Sequence, residues 1–98
     1  MAKFDVYRSD QGSVVLDCQS DLLSGLNTRF VVPLADPDDA VQVDRKLNPI
    51  LDVAGDPMMM LTHFASAIPA SAIGYRIAST ADQQYVVANA LDMLISGY

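Results

Sequence analysis

The chain has 98 residues, 51% of them hydrophobic, and a formal net charge of −6 in which all twelve acidic residues are Asp. This length fits a single domain over residues 1–98, and six Lys and Arg residues are too few to neutralise phosphates, so neither a nucleic acid nor an anionic membrane is an expected partner. So large an apolar share in a short chain instead predicts a surface that a second copy or a protein partner covers.

The first sixteen residues after Ala2 predict a β-hairpin. Phe4 and Val6 alternate with polar neighbours, which is typical of a half-buried strand. The sequence SDQG at 9–12 is turn chemistry, and an alternating strand follows at 13–18. Two such strands around a short turn predict an antiparallel pair over 3–18.

A loop and a third strand follow the hairpin. Residues 20–27 place turn formers around Leu22 and Leu23, so we expect a loop that carries two large aliphatic side chains either outward or into a core. Residues 28–34 predict a strand. Because Pro33 has no N–H to donate, this strand is expected at a sheet edge or to end there.

The middle of the chain predicts further strands separated by turns. Residues 35–40 form an acidic turn sequence. In residues 41–53, Val41 and Val43 favour one strand, and a second follows a break at Pro49.

Two segments of different character come next. The apolar sequence MMMLTHF at 58–64 predicts one more strand. Residues 65–74 are mostly small and are broken by Pro69, so a tight crossover is expected there and not a long helix.

The last part of the chain predicts an α-helix over residues 81–96. Ser79 or Thr80 is a suitable N-cap, and Asp82 stands three residues after Ser79, as in a capping box. The apolar arc spans about 200°, roughly twice what one sheet would cover. The residues predicted to share the core-facing side are Val87, Ala88, Leu91, Leu94, Ile95 and Tyr98.

The order of these elements predicts the fold class, which is mainly β with one C-terminal α-helix. Strands followed by one helix favour an antiparallel sheet or a small barrel over alternating β/α units. The N-terminal sequence lacks the apolar core of a secretory signal, and Cys18 has no partner for an intramolecular disulfide. We therefore expect a cytoplasmic protein.

The chain carries no recognisable catalytic or metal-binding set. His63 is its only histidine, which is too few for a typical zinc site. Cys18 lies in an alternating apolar strand and is expected to be a buried, inert thiol. Asp36, Asp38 and Asp39 lack the spacing of a calcium loop and are expected to be a solvated turn. We expect no cofactor and no enzymatic activity.

Several motifs in a fixed order resemble the CcdB family of toxins. They are F-VY at the start, D-QSDLL at 17–23, LNPIL at 47–51, AS-IP-S-IG at 65–74 and NALDML--G at 89–97. The resemblance implies an SH3-like antiparallel barrel with an added small sheet and a long C-terminal helix. It also implies a homodimer that binds the A subunit of DNA gyrase, traps the enzyme on cleaved DNA and is neutralised by an antitoxin with a disordered C-terminal segment.

The resemblance also implies a gyrase-binding site. Carried over by position, an aliphatic pair becomes Leu22 and Leu23, and an Asn position and an aromatic position on the helix become Asp92 and Ile95. The family's final Trp-Gly-Ile becomes Ser96, Gly97 and Tyr98. The missing Trp removes a large stacking surface, and Asp92 adds a charge. We hypothesise that Tyr98 replaces the Trp ring.

Three alternatives remain open. The altered ending favours a second hypothesis, a CcdB-fold homologue that binds antitoxin and no longer poisons gyrase or has another target. Helical spacing puts Leu94 and Tyr98 on the core-facing arc, which favours packing over recognition at this tip. An RNA-cleaving toxin is a third hypothesis, and an unrelated small dimeric module is a fourth.

Overall fold

A computed structural model describes residues 2–97, so Tyr98 lies outside the described residues. Within these residues, seven antiparallel strands form one curled sheet, and one α-helix follows them. The elements are β1 Asp5–Arg8, β2 Val14–Asp17, β3 Thr28–Ala35, β4 Ile50–Val53, β5 Asp56–Met60, β6 Ser66–Pro69, β7 Tyr75–Ser79 and α1 Gln84–Ser96. The predicted fold class is confirmed. No helix within residues 2–97 is long and apolar enough to span a membrane.

The strand order in the sheet is β4-β5-β3-β2-β1-β7, with β6 paired to β3 beside β5. The predicted hairpin is confirmed as the β1–β2 pair, in which Val6 lies opposite Leu16. Side chains alternate between the two faces, so Val6 and Leu16 join the main core while Tyr7 packs with Val31 on the other face. The main core lies between this sheet face and α1, which contributes the buried side chains of Val87 and Ala90.

The prediction that Pro33 places its strand at a sheet edge or ends it is wrong, since β3 continues to Ala35. Strand β3 is central and pairs with β2, β5 and β6. Pro33 lies opposite Val15, and its C=O accepts a hydrogen bond from Leu61 N–H at 2.9 Å. In a strand, the N–H and C=O of one residue point to the same side. The missing N–H of Pro33 would therefore point away from β2, toward the gap between β6 and β5. The ladder between β2 and β3 is therefore unaffected.

The predicted strand around Val41 and Val43 is also wrong. Residues 40–49 are irregular, and both valines are exposed. The buried side chain of Asn48 organises this loop. Its Oδ1 accepts the N–H of Val43 at 3.0 Å and that of Asp44 at 3.3 Å, and its Nδ2 donates to Met60 C=O at 3.1 Å. Side-chain hydrogen bonds thus replace the strand pairing that the valines favoured.

The remaining strand predictions are partly correct. The strand expected after Pro49 is β4, and the one expected at 58–64 is β5, which ends at Met60 before a 3-10 turn at Thr62–Phe64. The crossover at 65–74 contains no long helix, but it includes strand β6. Strand β7 follows and was not predicted, because Tyr75–Ser79 carries no strong alternation.

The C-terminal helix is confirmed, with a later start than its capping pattern indicated. Residues Ala81–Gln83 form a 3-10 turn, and α1 begins at Gln84 without a side-chain cap. The Thr80 hydroxyl, predicted as a cap, donates instead to Phe4 C=O at 2.9 Å. Gln83 fixes the start of the helix to β4, because its amide exchanges two 2.8 Å hydrogen bonds with the backbone of Asp52.

Candidate protein-binding surface

The loop between β2 and β3 presents two aliphatic side chains to solvent. A short 3-10 helix, Asp21–Leu23, forms its apex. Leu22 is 94% exposed and Leu23 is 51% exposed. Of the two orientations left open by the sequence, the structure shows the outward one. Adjacent exposed leucines form an apolar patch of the kind that marks a contact with another protein. We call this segment, residues 20–26, the leucine turn.

The polar residues of the leucine turn fix its shape. The Ser20 hydroxyl accepts a hydrogen bond from Leu22 N–H at 3.2 Å, and Leu23 N–H donates to Ser20 C=O at 2.9 Å. Oδ1 of Asp21 accepts the backbone N–H of Lys3 at 2.8 Å, which ties the turn to the N-terminal segment. Ser20 therefore caps the 3-10 helix as in a Ser turn, and Asp21 anchors it to the N-terminal segment.

A buried ion pair lies beneath the leucine turn. Arg29 of β3 and Asp17 of β2 are 1% and 0% exposed, and Arg29 Nε donates to Asp17 Oδ2 at 3.1 Å. A second guanidinium nitrogen, Nη2, also donates to Oδ2. The other carboxylate oxygen accepts the N–H of Gln19 at 3.0 Å. Both charges are thus used to join the two strands from which the turn departs.

The end of α1 carries a second exposed group. Asp92, Ile95 and Ser96 are all exposed, with Ile95 at 77%. The prediction that Ile95 and Ala88 face the core is wrong, since both are exposed. The buried stripe is centred between Val87 and Ala90, and Ile95 lies about 110° around the helix from that centre.

Two further residues complete the description of the helix end. Leu94 lies on the side of the buried stripe and is still 42% exposed, so the predicted packing covers it only in part. Gly97 ends the helix with φ of 80°, and its N–H donates to Met93 C=O at 3.1 Å. This left-handed conformation favours glycine, although an added Cβ would meet no atom within 4 Å.

The predicted site residues therefore form two groups. Helical spacing brings Asp92, Ile95 and Ser96 within one turn of each other. Leu22 and Leu23 lie on the separate leucine turn. Within residues 2–97, no hydrogen bond or ion pair joins that turn to α1.

A groove of about 620 Å³ opens on the sheet face opposite α1. Its floor is apolar and its rim is mostly serine. The lining includes Val15, Val31, Pro33, Ile68 and Ile73 on the floor and Ser9, Asp10, Ser13, Ser66 and Ser71 at the rim. No Lys, Arg, His or Cys belongs to this lining, so it offers no cation for a phosphate and no acid–base pair.

His63 and Cys18, the one histidine and the one cysteine of the sequence, both make local packing contacts. Nδ1 of His63 lies 3.2 Å from Nδ2 of Asn48, and the imidazole ring packs in a tilted arrangement against Phe64, with 4.4 Å between the ring centroids. Burial raises the pKa of the Cys18 thiol to about 12, with a smaller contribution from the Asp17 carboxylate. A thiol that stays protonated at neutral pH is a poor nucleophile. Among residues 2–97, no three His, Cys, Asp or Glu side chains cluster to hold a metal ion.

Comparison with known proteins identifies the family. Residues 3–97 match the profile of the family described as CcdB protein. The chain belongs to the CcdB family. The resemblance in the sequence motifs is thereby confirmed, and membership supports the coarse function of a toxin from a toxin–antitoxin module.

Two solved structures share the fold of this CcdB family member. An endoribonuclease from a mycobacterial species has a TM-score of 0.76 at 11% identity, covering 97% of this chain and 90% of its own. The Mycobacterium tuberculosis toxin MazF-mt6 has a TM-score of 0.73 at 18% identity, covering 93% of both chains. At these identities the likeness establishes the fold and not the reaction.

Sequence reasoning missed several parts of the candidate surface. Leu26 is 51% exposed beside the predicted pair and was not singled out. The buried Asp17–Arg29 pair and the side chain of Gln19 were not predicted to support the turn. The signal available was the sequence DCQSDLL at 17–23, in which Ser20 and Asp21 directly precede the aliphatic pair, because short polar side chains favour hydrogen bonds to nearby backbone groups.

Proposed function

We propose that the protein is a non-catalytic toxin that binds the A subunit of DNA gyrase and traps the complex in which the DNA is cleaved. The observation that carries this proposal is the leucine turn, where a nearly fully exposed Leu22 is held on a well-bonded scaffold. Membership of a toxin family supports this proposal. In the resemblance, Leu22 and Leu23 stand at the positions of the aliphatic pair that the family uses to contact gyrase.

The helix end supports the same proposal. Asp92, Ile95 and Ser96 face solvent, as contact residues must, and Gly97 is followed by Tyr98. Exposed aliphatic groups on rigid elements lose little conformational entropy on binding, which favours recognition by a protein. In this proposal Ile95 supplies the aliphatic area of the helix contact, and Tyr98 supplies the ring that the family places two residues earlier.

The proposed partners are a second copy of the chain and a cognate antitoxin. Exposed apolar residues on α1, among them Val86 and Leu94, are suited to a homodimer interface. The antitoxin would use a disordered C-terminal segment that folds on the toxin and removes it from gyrase. The expected cytoplasmic location agrees with both partners.

A second candidate keeps the fold and loses the poisoning. The observation that favours it is exposed Ser96 at the position where the family has Trp, with charged Asp92 one turn earlier. A hydroxyl cannot replace the stacking area of an indole. In this alternative the protein binds its antitoxin and has no gyrase activity, or it has another target.

Incubation of purified protein with gyrase from the native host, ATP and supercoiled plasmid distinguishes the two candidates. Linear DNA that accumulates with protein dose after the enzyme is denatured is the result expected for a poison. Tyr98→Ala should reduce it, while Tyr85→Ala, which removes the same ring at a 79% exposed site at the other end of α1, should not.

Absence of linear DNA would contradict the proposal. In that case the double substitution Ser96→Trp and Tyr98→Ile restores the family's ending around Gly97. Linear DNA from this variant would show that only the tip differs, as the second candidate requires. Continued absence of linear DNA, together with antitoxin binding, would indicate another target.

A further inference from the structure

The side chain of Gln19 occupies the place where strand β2 leaves the sheet. Strand β2 ends at Asp17, yet Cys18 N–H still donates to Phe30 C=O at 2.9 Å. In a regular antiparallel pair, Phe30 N–H would donate back to Cys18. It donates instead to Oε1 of Gln19 at 3.0 Å. The amide of Gln19 therefore acts as the next element of the ladder.

The other end of the same amide holds the leucine turn. Nε2 of Gln19 donates to Leu23 C=O at 2.9 Å, and Leu26 N–H donates to the same oxygen at 3.2 Å. One side chain thus bridges the backbone of β3 and the backbone of the turn. Gln19 is only 7% exposed, so water does not compete freely for these hydrogen bonds.

The bridge makes a specific chemical demand on the side chain at this position. It needs one acceptor and one donor on a single group that reaches both Phe30 and Leu23. Glutamate lacks the donor, asparagine is one methylene shorter, and methionine has neither group. The backbone of Gln19 is also fixed, because its N–H donates to the buried carboxylate of Asp17 at 3.0 Å.

We propose that Gln19 is a positioning residue that holds Leu22 and Leu23 in the conformation that binds the protein partner. The role in binding rests on the proposed function. A turn that is ordered before binding loses less entropy when it is covered, so its affinity is higher than that of the same leucines on a loose loop.

The test compares Gln19→Met, which preserves length and removes both hydrogen bonds, with the control Gln11→Met at an exposed loop position. Amide hydrogen exchange is measured on the free proteins. Exchange in residues 20–26 and at Phe30 should accelerate at least about tenfold in Gln19→Met and stay unchanged in the control. Unchanged exchange in these residues would overturn the positioning role, whatever happens with gyrase.

Binding to the gyrase A subunit provides the second measurement. Gln19→Met should weaken it about tenfold, and Leu22→Ala should have a smaller effect in that background than in the wild type. Ile95→Ala should have the same effect in both backgrounds. If Gln19→Met only destabilised the protein, Leu22→Ala would weaken binding by the same factor in both backgrounds, as Ile95→Ala does. That result would overturn the role of Gln19 in binding. Wild-type protein that does not bind gyrase would refute the proposed function, and hydrogen exchange would then decide the positioning role alone.

Discussion

Arg29 and Asp17 form an ion pair that is enclosed by protein, with 1% and 0% of their side chains exposed. Charges removed from water to this degree are stable only while both partners are present. The Nη1 atom of Arg29 has no hydrogen-bond partner among residues 2–97, so the pair with Asp17 uses only part of the guanidinium group. Its position under the leucine turn makes the pair a structural support of the candidate surface.

Arg29→Met should destabilise the protein by about 3–5 kcal/mol, because it leaves the Asp17 carboxylate buried without a counter-charge. The control is Arg76→Met. Arg76 pairs with Asp5 at 3.2 Å, but its side chain is 56% exposed, so its loss should change the free energy of unfolding by about 0–1 kcal/mol. Urea unfolding measures both, and equal effects would contradict the structural role given to the buried pair.

Gly74 brings the turn before β7 against the end of β1. Its φ is +87°, and an added Cβ would lie 2.0 Å from the carbonyl oxygen of Arg8. Gly74→Ala should therefore destabilise the protein by more than Gly55→Ala. Gly55 has a similar φ of +92° with nothing within 4 Å, so alanine there adds only backbone strain of about 1–2 kcal/mol.

The difference between the two alanine variants isolates the backbone clash. It should appear in thermal or urea unfolding as a clearly lower stability of Gly74→Ala. Closely similar stabilities would show that the two backbone segments separate without cost.

Stability should fall at alkaline pH because of Cys18. Its pKa is about 12 in the folded protein against an ordinary value of 9.0, so the unfolded chain loses this proton first as pH rises. The contribution is complete below about pH 9 and is lost between pH 9 and 12, with a slope of about 1.4 kcal/mol per pH unit. Burial, and then the charge of Asp5, raises the pKa of Tyr7 and acts in the same direction.

Cys18→Ala separates the thiol from the tyrosine, because Tyr7 remains in both proteins. Urea unfolding in reducing buffer at pH 7, 9, 10 and 11 should show a shallower decline for Cys18→Ala above pH 9. Parallel curves would mean that the thiol ionises as readily in the folded chain as in the unfolded one.

Purified protein should not cleave RNA. The fold is shared with an endoribonuclease, but the groove offers Asp10 as its only charged side chain and no cation for a phosphate. Incubation with structured and single-stranded RNA, beside a ribonuclease control, measures this. Site-specific cuts that disappear in Asp10→Asn and remain in Asp56→Asn, which removes a carboxylate outside the groove, would establish a catalytic groove and refute the non-enzymatic proposal.

Local sequence patterns predicted much of the fold, and the predictions that failed did so where a single side chain determines the backbone conformation. Alternation around Val6 identified the first hairpin, and helical spacing identified α1. The same alternation misled at Val41, because the amide of Asn48 supplies the loop with the hydrogen bonds that a strand would make. The bond from Asn48 to Met60 joins residues twelve apart in sequence, and the bond to Val43 runs from a side chain to the backbone, so the alternation of apolar residues reveals neither.

The sequence predicted which residues form the candidate site, but it did not predict the buried side chains that hold them in place. The leucines and the helix end were identified by resemblance, and the structure shows which of them face solvent. Ile95 was placed on the wrong side because the apolar residues of the helix spread over an arc of about 200°, and packing against the sheet selects only the part near Val87 and Ala90. The orientation of a helix with such a wide arc depends on tertiary contacts.

Binding to purified gyrase A subunit tests the central claim most directly, using two matched substitutions of exposed aliphatic residues. Leu22→Asp should weaken binding by at least about thirtyfold, or about 2 kcal/mol, because it buries a charge in the contact. Val41→Asp, at an 80% exposed site outside the candidate surface, should bind like the wild type. Equal affinities of the three proteins, or no binding by the wild type, would contradict the account.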